Sequence, residues 1–178
     1  MRALTVLTVC LVAFASSGHS SAAAELKVGS MAPDFTLPAS NGKTYKVSDF
    51  RNKQAIVLAW FPKAYTRGCT LECKSLAEHG NLIKKYDVAY FMISVDPLDK
   101  NTGFAEQQHA DFPLLSDPTK KTADAYGVLG MLGMANRWTF YIGKDGTIQA
   151  IDKNVRPATS AEDMAAKLNE LGVSTRGQ

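Results

Sequence analysis

Two cysteines four residues apart, Cys69 and Cys73, have the clearest capacity for chemistry in this chain. They close the stretch WFPKAYTRGCTLEC, in which Pro62 and Thr66 precede the first cysteine. A cysteine thiolate acts as a nucleophile and as a metal ligand, whereas a buried free cysteine packs like a small apolar side chain. The pair therefore has three candidate roles, which are redox or nucleophilic chemistry, metal binding, and packing.

The residues around the cysteines predict a strand that ends at Pro62 and a helix that begins at Thr66. The run QAIVLAWF is continuous and apolar, as in a buried central strand, and proline cannot continue the hydrogen-bond ladder of a sheet. Thr66 is a favoured N-cap residue, so we expect its hydroxyl to cap a helix that extends to about Tyr86. Cys69 then lies in the first turn, where the helix dipole favours thiolate over thiol.

One stripe of the predicted helix is apolar and contains both cysteines. At about 100° per residue, Cys69, Cys73, Leu76, Gly80 and Ile83 share this stripe, which should face the sheet. Packing as a small apolar side chain is one interpretation of Cys73. A disulfide with Cys69 is another, because Cα atoms at positions i and i+4 of a helix lie about 6 Å apart. That separation suits a disulfide, although the helical Cβ directions require local distortion.

Strands and helices alternate over the rest of the chain, with a hairpin signal near each end. The dipeptides Asn41-Gly42 and Asp145-Gly146 favour the tight turns of β-hairpins. This order of elements predicts a mixed α/β sandwich. The other predicted elements are a strand over 88–96 and helices over 99–110, 120–128 and 160–171, the last capped by Ser160 and ended by Gly172.

The first residues have the layout of a secretory signal peptide. Residues 1–24 contain a single arginine, an apolar run and then small residues that end at Ala24, where cleavage is expected. The apolar run is too short for a good membrane span, so we expect export to the periplasm or the medium without stable membrane association. Cleavage removes Cys10 and leaves a single domain, residues 25–178, with two cysteines in a compartment that permits disulfides.

Composition and charge exclude some classes of partner. The chain has 178 residues and a formal net charge of +3, which is small and dispersed along the sequence. Nucleic-acid binding has no support, because no basic run with interleaved aromatic residues is present. No internal repeat or low-complexity segment is present either.

The motif Pro62-x-x-x-Thr66-x-x-Cys69, with Arg137 in RWTF, resembles the peroxiredoxins of the AhpC/TSA superfamily. The resemblance extends from VGSMAPDFTL to RWTFYIGKDG and is closest to the bacterioferritin-comigratory, PrxQ-like branch. It implies an α/β thioredoxin-like fold, with a central mixed β-sheet flanked by helices and an N-terminal β-hairpin. It also implies a thiol-dependent peroxidase for hydrogen peroxide and organic hydroperoxides. Such an enzyme needs no cofactor and no metal, and a thioredoxin-like dithiol protein recycles it.

The resemblance also implies roles for individual residues. Cys69 matches the peroxidatic cysteine, and Thr66 matches the residue that hydrogen-bonds the peroxide and the sulfur. Pro62 matches the residue that shields the thiolate from water. Arg137 matches the arginine that stabilises the thiolate and polarises the peroxide, and Glu72 matches the glutamate that orients this arginine. These roles agree with general chemistry, because fixed hydrogen-bond donors stabilise the negative charge that develops on oxygen as the O–O bond breaks.

The role of Cys73 follows from the resemblance with a change of one position. In the PrxQ-like branch a second cysteine often lies five residues after the first, whereas Cys73 lies four residues after Cys69. The resemblance implies that Cys73 resolves the oxidised Cys69 through an intramolecular disulfide. A purely structural bridge would add little stability, because the loop that it closes is short.

Two other protein classes use closely spaced cysteines on a similar fold. Sco-type copper proteins carry C-x-x-x-C and add a late histidine, whereas His79 and His109 of this chain fall in predicted helices. Thiol–disulfide exchange proteins normally carry C-x-x-C and a cis-proline at the place where this chain has Arg137. Both classes remain as alternatives to the peroxidase.

Overall fold

The computed structural model describes residues 25–177. The predicted signal peptide, residues 1–24, lies outside the described residues together with Cys10. Within the described part, no helix is long and apolar enough to cross a membrane. The strands are β1 (Thr36–Pro38), β2 (Thr44–Lys46), β3 (Ala55–Trp60), β4 (Val88–Ser94), β5 (Leu114–Ser116), β6 (Thr139–Ile142) and β7 (Ile148–Asp152). The helices are α1 (Arg67–His79), α2 (Asn81–Lys84), α3 (Leu98–Gln107), α4 (Lys121–Ala125) and α5 (Ser160–Glu170), with 3-10 turns at Val47–Phe50 and Pro157–Thr159.

A five-stranded mixed sheet forms the centre, in the order β5-β4-β3-β6-β7. The strands β3, β4 and β5 run parallel to one another, whereas β6 is antiparallel to both β3 and β7. The strands β1 and β2 form a separate antiparallel hairpin, whose turn contains Asn41 and Gly42. Gly42 has a φ of +75°, a conformation that glycine adopts without steric cost. The predicted mixed sheet and N-terminal hairpin are confirmed.

The central strand β3 buries both of its faces. All six of its residues are buried, and because side chains alternate across a strand they divide between two cores. Val57 and Ala59 pack on the side of α1 and α5, in a cluster that includes both Cys69 and Cys73. Trp60 packs on the opposite side, against residues from α4 and the hairpin. The continuous apolar run in the sequence therefore marks the strand that separates the two cores.

The long helix that the sequence predicts is interrupted at Gly80. Its first part, α1, begins after Thr66 as predicted but ends at His79, and the short helix α2 follows. A Cβ atom at position 80 would lie 2.7 Å from the hydroxyl oxygen of Tyr90 and 2.5 Å from the carbonyl oxygen of Leu76. The interruption therefore lies where the backbone approaches a β4 side chain too closely for any residue with a Cβ.

The cap predicted for the last helix is wrong by one residue. The helix α5 begins at Ser160, and the N-cap is Thr159, because the 3-10 turn before it extends to that residue. Ser160 is buried, and the hydroxyl of Thr159 donates to Asp163 Oδ2 at 2.9 Å. Gly172 follows the helix with a φ of +68°, so the predicted stop is confirmed.

Candidate active site

Sheet topology brings Arg137 to the start of α1. The strand β6 pairs with β3 so that Thr139 lies opposite Ala59, and the Trp60 N–H donates to the Trp138 carbonyl at 2.8 Å. Arg137, just before β6, therefore lies beside the segment that leads from β3 into α1. Its Nη2 group donates to Cys69 Sγ at 3.1 Å, across 68 positions of sequence.

Arg137 also binds Glu72, which lies one helical turn after Cys69. The Nη1 group of Arg137 donates to Glu72 Oε2, and the two side chains form an ion pair. Cys69 and Glu72 are fully buried, and only 18 % of the Arg137 side chain is exposed. The three residues therefore form one contiguous group in which the guanidinium bridges a carboxylate and a sulfur.

Within this group, burial and the neighbouring charges shift the pKa values of Glu72 and Arg137 in opposite directions. Burial raises the pKa of Glu72 to about 7, although the positive charge of Arg137 opposes the rise. Burial disfavours the charge of Arg137, but the negative charges of Glu72 and Cys69 outweigh burial and raise its pKa. Arg137 is therefore a permanent cation whose N–H donors lie within hydrogen-bond distance of both the Glu72 carboxyl and the Cys69 sulfur.

Thr66 takes the predicted place but makes a different hydrogen bond. It is the N-cap residue of α1, yet its hydroxyl does not cap the helix and instead donates to the Lys63 carbonyl at 2.9 Å. The predicted hydroxyl cap is therefore wrong, because the turn before the helix brings this carbonyl within reach. Pro62 follows β3 and is half-buried, and Thr66 is exposed. The two residues delimit the loop through which the chain enters α1.

Cys73 lies on the same buried stripe of α1 as Cys69. Both cysteines are free thiols and fully buried, as are Leu76 and Ile83 farther along the predicted stripe. Burial raises the pKa of Cys73 to about 12, and the negative charges of Glu72 and Cys69 add to the rise. In this state of the protein Cys73 is a protonated thiol packed among apolar side chains.

Alkylation in a chain with Cys10→Ser and Cys69→Ser measures this property of Cys73, the one cysteine left. We expect the rate of reaction with iodoacetamide to rise with pH up to at least pH 10 without a plateau, because the pKa of the native thiol is raised to about 12. In denaturant, the alkylation rate of the same chain should level off as the pH passes an ordinary cysteine pKa of about 8.5. A plateau at that pH in the native protein would contradict the burial of Cys73.

The histidines of the described residues do not complete a metal site. His79 ends α1 and its Nδ1 lies 2.5 Å from Glu162 Oε1. His109 was expected in a helix but lies just beyond α3, with a φ of +52°. Between residues 25 and 177, no group of three or more His, Cys, Asp or Glu side chains is placed to hold a metal ion. The copper-binding alternative is not favoured.

Two residues near the site were not singled out as functional from the sequence. Tyr65, the residue before Thr66, has a φ of +67°, which no sequence signal indicates for a tyrosine. Asp96 follows β4 and accepts a hydrogen bond from the Ala64 N–H at 2.8 Å. The sequence feature that points to Asp96 is its position directly after the buried strand β4, which runs parallel to β3. Parallel neighbouring strands end at the same edge of a sheet, which is also the edge where α1 begins.

Known proteins share this sequence and fold. The AhpC/TSA family matches residues 28–151. Peroxiredoxin Bcp from Escherichia coli K12 is 34 % identical over 133 residues, which cover 71 % of this chain and 85 % of that protein. Alkyl hydroperoxide reductase E from Mycobacterium tuberculosis H37Rv is 37 % identical over 127 residues, which cover 70 % of this chain and 83 % of that protein.

Among solved structures, peroxidoxin BcpB from Mycobacterium tuberculosis matches with a TM-score of 0.74 and 30 % identity. The match covers 82 % of this chain and 98 % of that structure. It confirms the expected thioredoxin-like fold of the peroxiredoxins. Family, relatives and fold agree, and the chain therefore belongs to the AhpC/TSA family, within its bacterioferritin-comigratory, PrxQ-like branch of peroxiredoxins.

Proposed function

We propose that Cys69 is the peroxidatic nucleophile with which this chain, a thiol-dependent peroxidase, reduces hydrogen peroxide and organic hydroperoxides. The observation that carries the proposal is the buried contact of Arg137 Nη2 with Cys69 Sγ at 3.1 Å, with Glu72 on the other side of the guanidinium. Organic hydroperoxides are included because one relative is named an alkyl hydroperoxide reductase.

In the first step the Cys69 thiolate attacks one oxygen of the hydroperoxide. A sulfur–oxygen bond forms and the O–O bond breaks, so that water or an alcohol leaves after it takes up a proton. The sulfur is oxidised to a sulfenic acid and the peroxide is reduced. The N–H donors of Arg137 stabilise the negative charge that develops on the departing oxygen. The Thr66 hydroxyl, which donates to the Lys63 carbonyl, accepts a hydrogen bond from the O–H group of the peroxide at the start of α1. Half-buried Pro62 restricts the access of water to the thiolate.

In the second step Cys73 resolves the sulfenic acid. The sulfur of Cys73 attacks Cys69 Sγ, a disulfide forms, and water leaves with the hydroxyl group of the sulfenic acid and the proton of the Cys73 thiol. The later part of α1 is tied to α5, since Ser75 Oγ accepts the Ala161 N–H at 3.1 Å. We therefore expect the distortion that an i, i+4 disulfide requires to lie in the first turns of the helix.

A Cys73→Ser chain tests the second step. We expect it to reduce about one equivalent of peroxide and then to lose at least about tenfold in turnover with a thioredoxin-like reductant, because no protein thiol resolves Cys69. Mass analysis of the unmodified chain after peroxide should show the loss of two hydrogens and, after cleavage at Glu72, a peptide pair linked through Cys69 and Cys73. Full turnover by the variant, with no such link in the unmodified chain, would assign a one-cysteine cycle instead.

We further propose that residues 1–24 direct export and that the mature chain works outside the cytoplasm without stable membrane association. The layout of this segment supports the proposal. The reductant is then a thioredoxin-like dithiol protein of the same compartment. N-terminal sequencing of the protein recovered from the extracytoplasmic fraction should begin at Glu25, and recovery of the intact chain from the cytoplasm would contradict export.

A further inference from the structure

The loop from Pro62 to Thr66 has a backbone conformation that its own sequence does not favour. Tyr65 has a φ of +67°, in the left-handed region where a residue with a side chain is disfavoured. Such a conformation persists where surrounding contacts hold it, and it is frequent next to functional sites. Cys69 lies four residues farther on, so whatever holds this loop also determines where α1 begins.

A buried carboxylate holds the loop at Ala64. The Ala64 N–H donates to Asp96 Oδ2 at 2.8 Å, and the exposed fractions of the two residues are 3 % and 7 %. The hydroxyl of Ser94 donates to the same carboxylate oxygen at 3.1 Å, and the Asp96 N–H donates back to the Ser94 hydroxyl at 3.2 Å. Asn101 donates to the Ser94 hydroxyl at 3.1 Å. The carboxylate is therefore oriented by its own network before it meets the loop.

The same segment of the chain also holds Tyr65. The Tyr65 hydroxyl donates to the Lys100 carbonyl at 3.3 Å, in the first turn of α3. The ring packs edge-on against Phe104, with 5.2 Å between the ring centroids. Gly103 makes room for this arrangement, because a Cβ atom there would lie 2.8 Å from the tyrosine hydroxyl. Two consecutive residues of the loop are thus tied to the segment between Asp96 and Phe104.

We propose that Asp96 is a positioning residue for the peroxidase reaction. Its carboxylate fixes the loop between Pro62 and Thr66 and thereby the first turn of α1, which keeps Cys69 Sγ within hydrogen-bond distance of Arg137. Asp96 does not touch the reacting sulfur, and it acts through the Ala64 backbone. This inference rests on the proposed role of Cys69 as the peroxidatic nucleophile.

Four variants, one of them a fallback, and one rate constant test the proposal. The rate constant is that for oxidation of reduced Cys69 by hydrogen peroxide, measured by quenching with an alkylating reagent and mass analysis. Asp96→Ala leaves the Ala64 N–H without its acceptor, and we expect the rate constant to fall about 10- to 100-fold, as when reacting groups are misplaced by about an ångström. Asp96→Asn keeps an oxygen that accepts this N–H, and we expect it to retain most of the rate.

Asp117→Ala is the matched control. Asp117 is also a buried aspartate after a strand, and its Oδ2 accepts the Ala123 N–H at 2.8 Å at the start of α4. Its replacement should lower the melting temperature about as much as Asp96→Ala and leave the rate constant within about twofold, because its carboxylate binds Thr119 and Ala123 and shares no partner with the Asp96 carboxylate. The bond from the Asp117 N–H to the Ser94 carbonyl is made by the backbone, which the substitution keeps. If Asp96→Ala does not fold, Ser94→Ala removes the hydroxyl that orients the carboxylate, and we expect a fall of about 3- to 10-fold.

Each outcome decides between positioning and a purely structural role. A wild-type rate constant in Asp96→Ala, or in Ser94→Ala where Asp96→Ala does not fold, would overturn the proposal. So would an equal loss in Asp117→Ala, or a loss in Asp96→Asn as large as that in Asp96→Ala. In all these cases the unmodified chain still oxidises at Cys69, so only this inference fails. No oxidation of Cys69 in the unmodified chain would overturn the proposed function as well.

Discussion

Replacing Cys69 with serine will abolish hydroperoxide reduction, with a fall of about 10⁴-fold or more, the order expected when an essential nucleophile is removed. A serine hydroxyl is far less acidic than a thiol, so the N–H donors of Arg137 have no anion to stabilise at the start of α1. Oxygen also cannot take the place of sulfur as the atom that is oxidised to a sulfenic acid. Consumption of hydrogen peroxide with dithiothreitol as the reductant measures the loss directly.

Cys73→Ser is the control for this variant. The two cysteines lie on one stripe of α1, and both are fully buried, so the same exchange of sulfur for oxygen should cost similar stability at either site. With a small-molecule dithiol that reduces the sulfenic acid directly, Cys73→Ser should keep most of the activity while Cys69→Ser loses it. Peroxide reduction by Cys69→Ser above the level of the dithiol alone would show that another residue is the nucleophile.

Replacing Arg137 with methionine will lower the rate constant for Cys69 oxidation by about 10²- to 10³-fold, the usual effect of removing a donor aimed at developing charge. Methionine replaces the unbranched stem of arginine with one of about the same length but has no N–H groups for the sulfur or for the departing oxygen. The variant also leaves the Glu72 carboxyl buried without its cation, and at a pH above the pKa of this carboxyl the unpaired buried charge costs stability of about 3–5 kcal/mol. The two effects must therefore be separated.

A second variant, with both Arg137→Met and Glu72→Gln, separates them. Glutamine cannot ionise, so at a pH above the pKa of the Glu72 carboxyl we expect the double variant to recover most of the lost stability and none of the lost rate. The measurements are the thermal midpoint and the rate of peroxide oxidation for both chains. Recovery of the rate together with stability would mean that Arg137 acts only by neutralising Glu72. A rate within tenfold of the unmodified chain in Arg137→Met would remove Arg137 from the mechanism.

The pH dependence of stability gives an independent measure of this buried pair. Burial raises the folded-state pKa of Glu72 from 4.5 to about 7, so between these values the native state binds more protons than the unfolded state. The stability that neutral Glu72 contributes is thus complete below about pH 4.5 and is lost as the pH rises through about 7. Arg137 opposes this rise in the pKa of Glu72, so in Arg137→Met the pH range over which the stability is lost should extend to higher pH. Glu72→Gln should remove this pH-dependent contribution altogether.

Features that depend on neighbouring residues were predictable from the sequence. The buried stripe of α1, the strand before Pro62 and the turns at Asn41-Gly42 and Asp145-Gly146 all follow from periodicity and turn chemistry over a few residues. The candidate nucleophile was also predictable, because Cys69 falls in the first turn of a helix that follows a strand. Arg137 was identified only through the resemblance to peroxiredoxins, since no local pattern connects it with a cysteine 68 positions away.

Local sequence patterns indicate which cysteine is the candidate nucleophile and which strand and helix precede and contain it. Packing between elements determines what the candidate site residues touch. It interrupted the long helix at Gly80 because a β4 side chain approaches there, turned the Thr66 hydroxyl to the Lys63 carbonyl, and placed Asp96 against the loop before α1. The contacts at Gly80 and Asp96 join segments that are remote in sequence. The bond from Thr66 to the Lys63 carbonyl competes with the local alternative of capping the helix. Propensity and periodicity report short-range preferences, whereas packing selects among them.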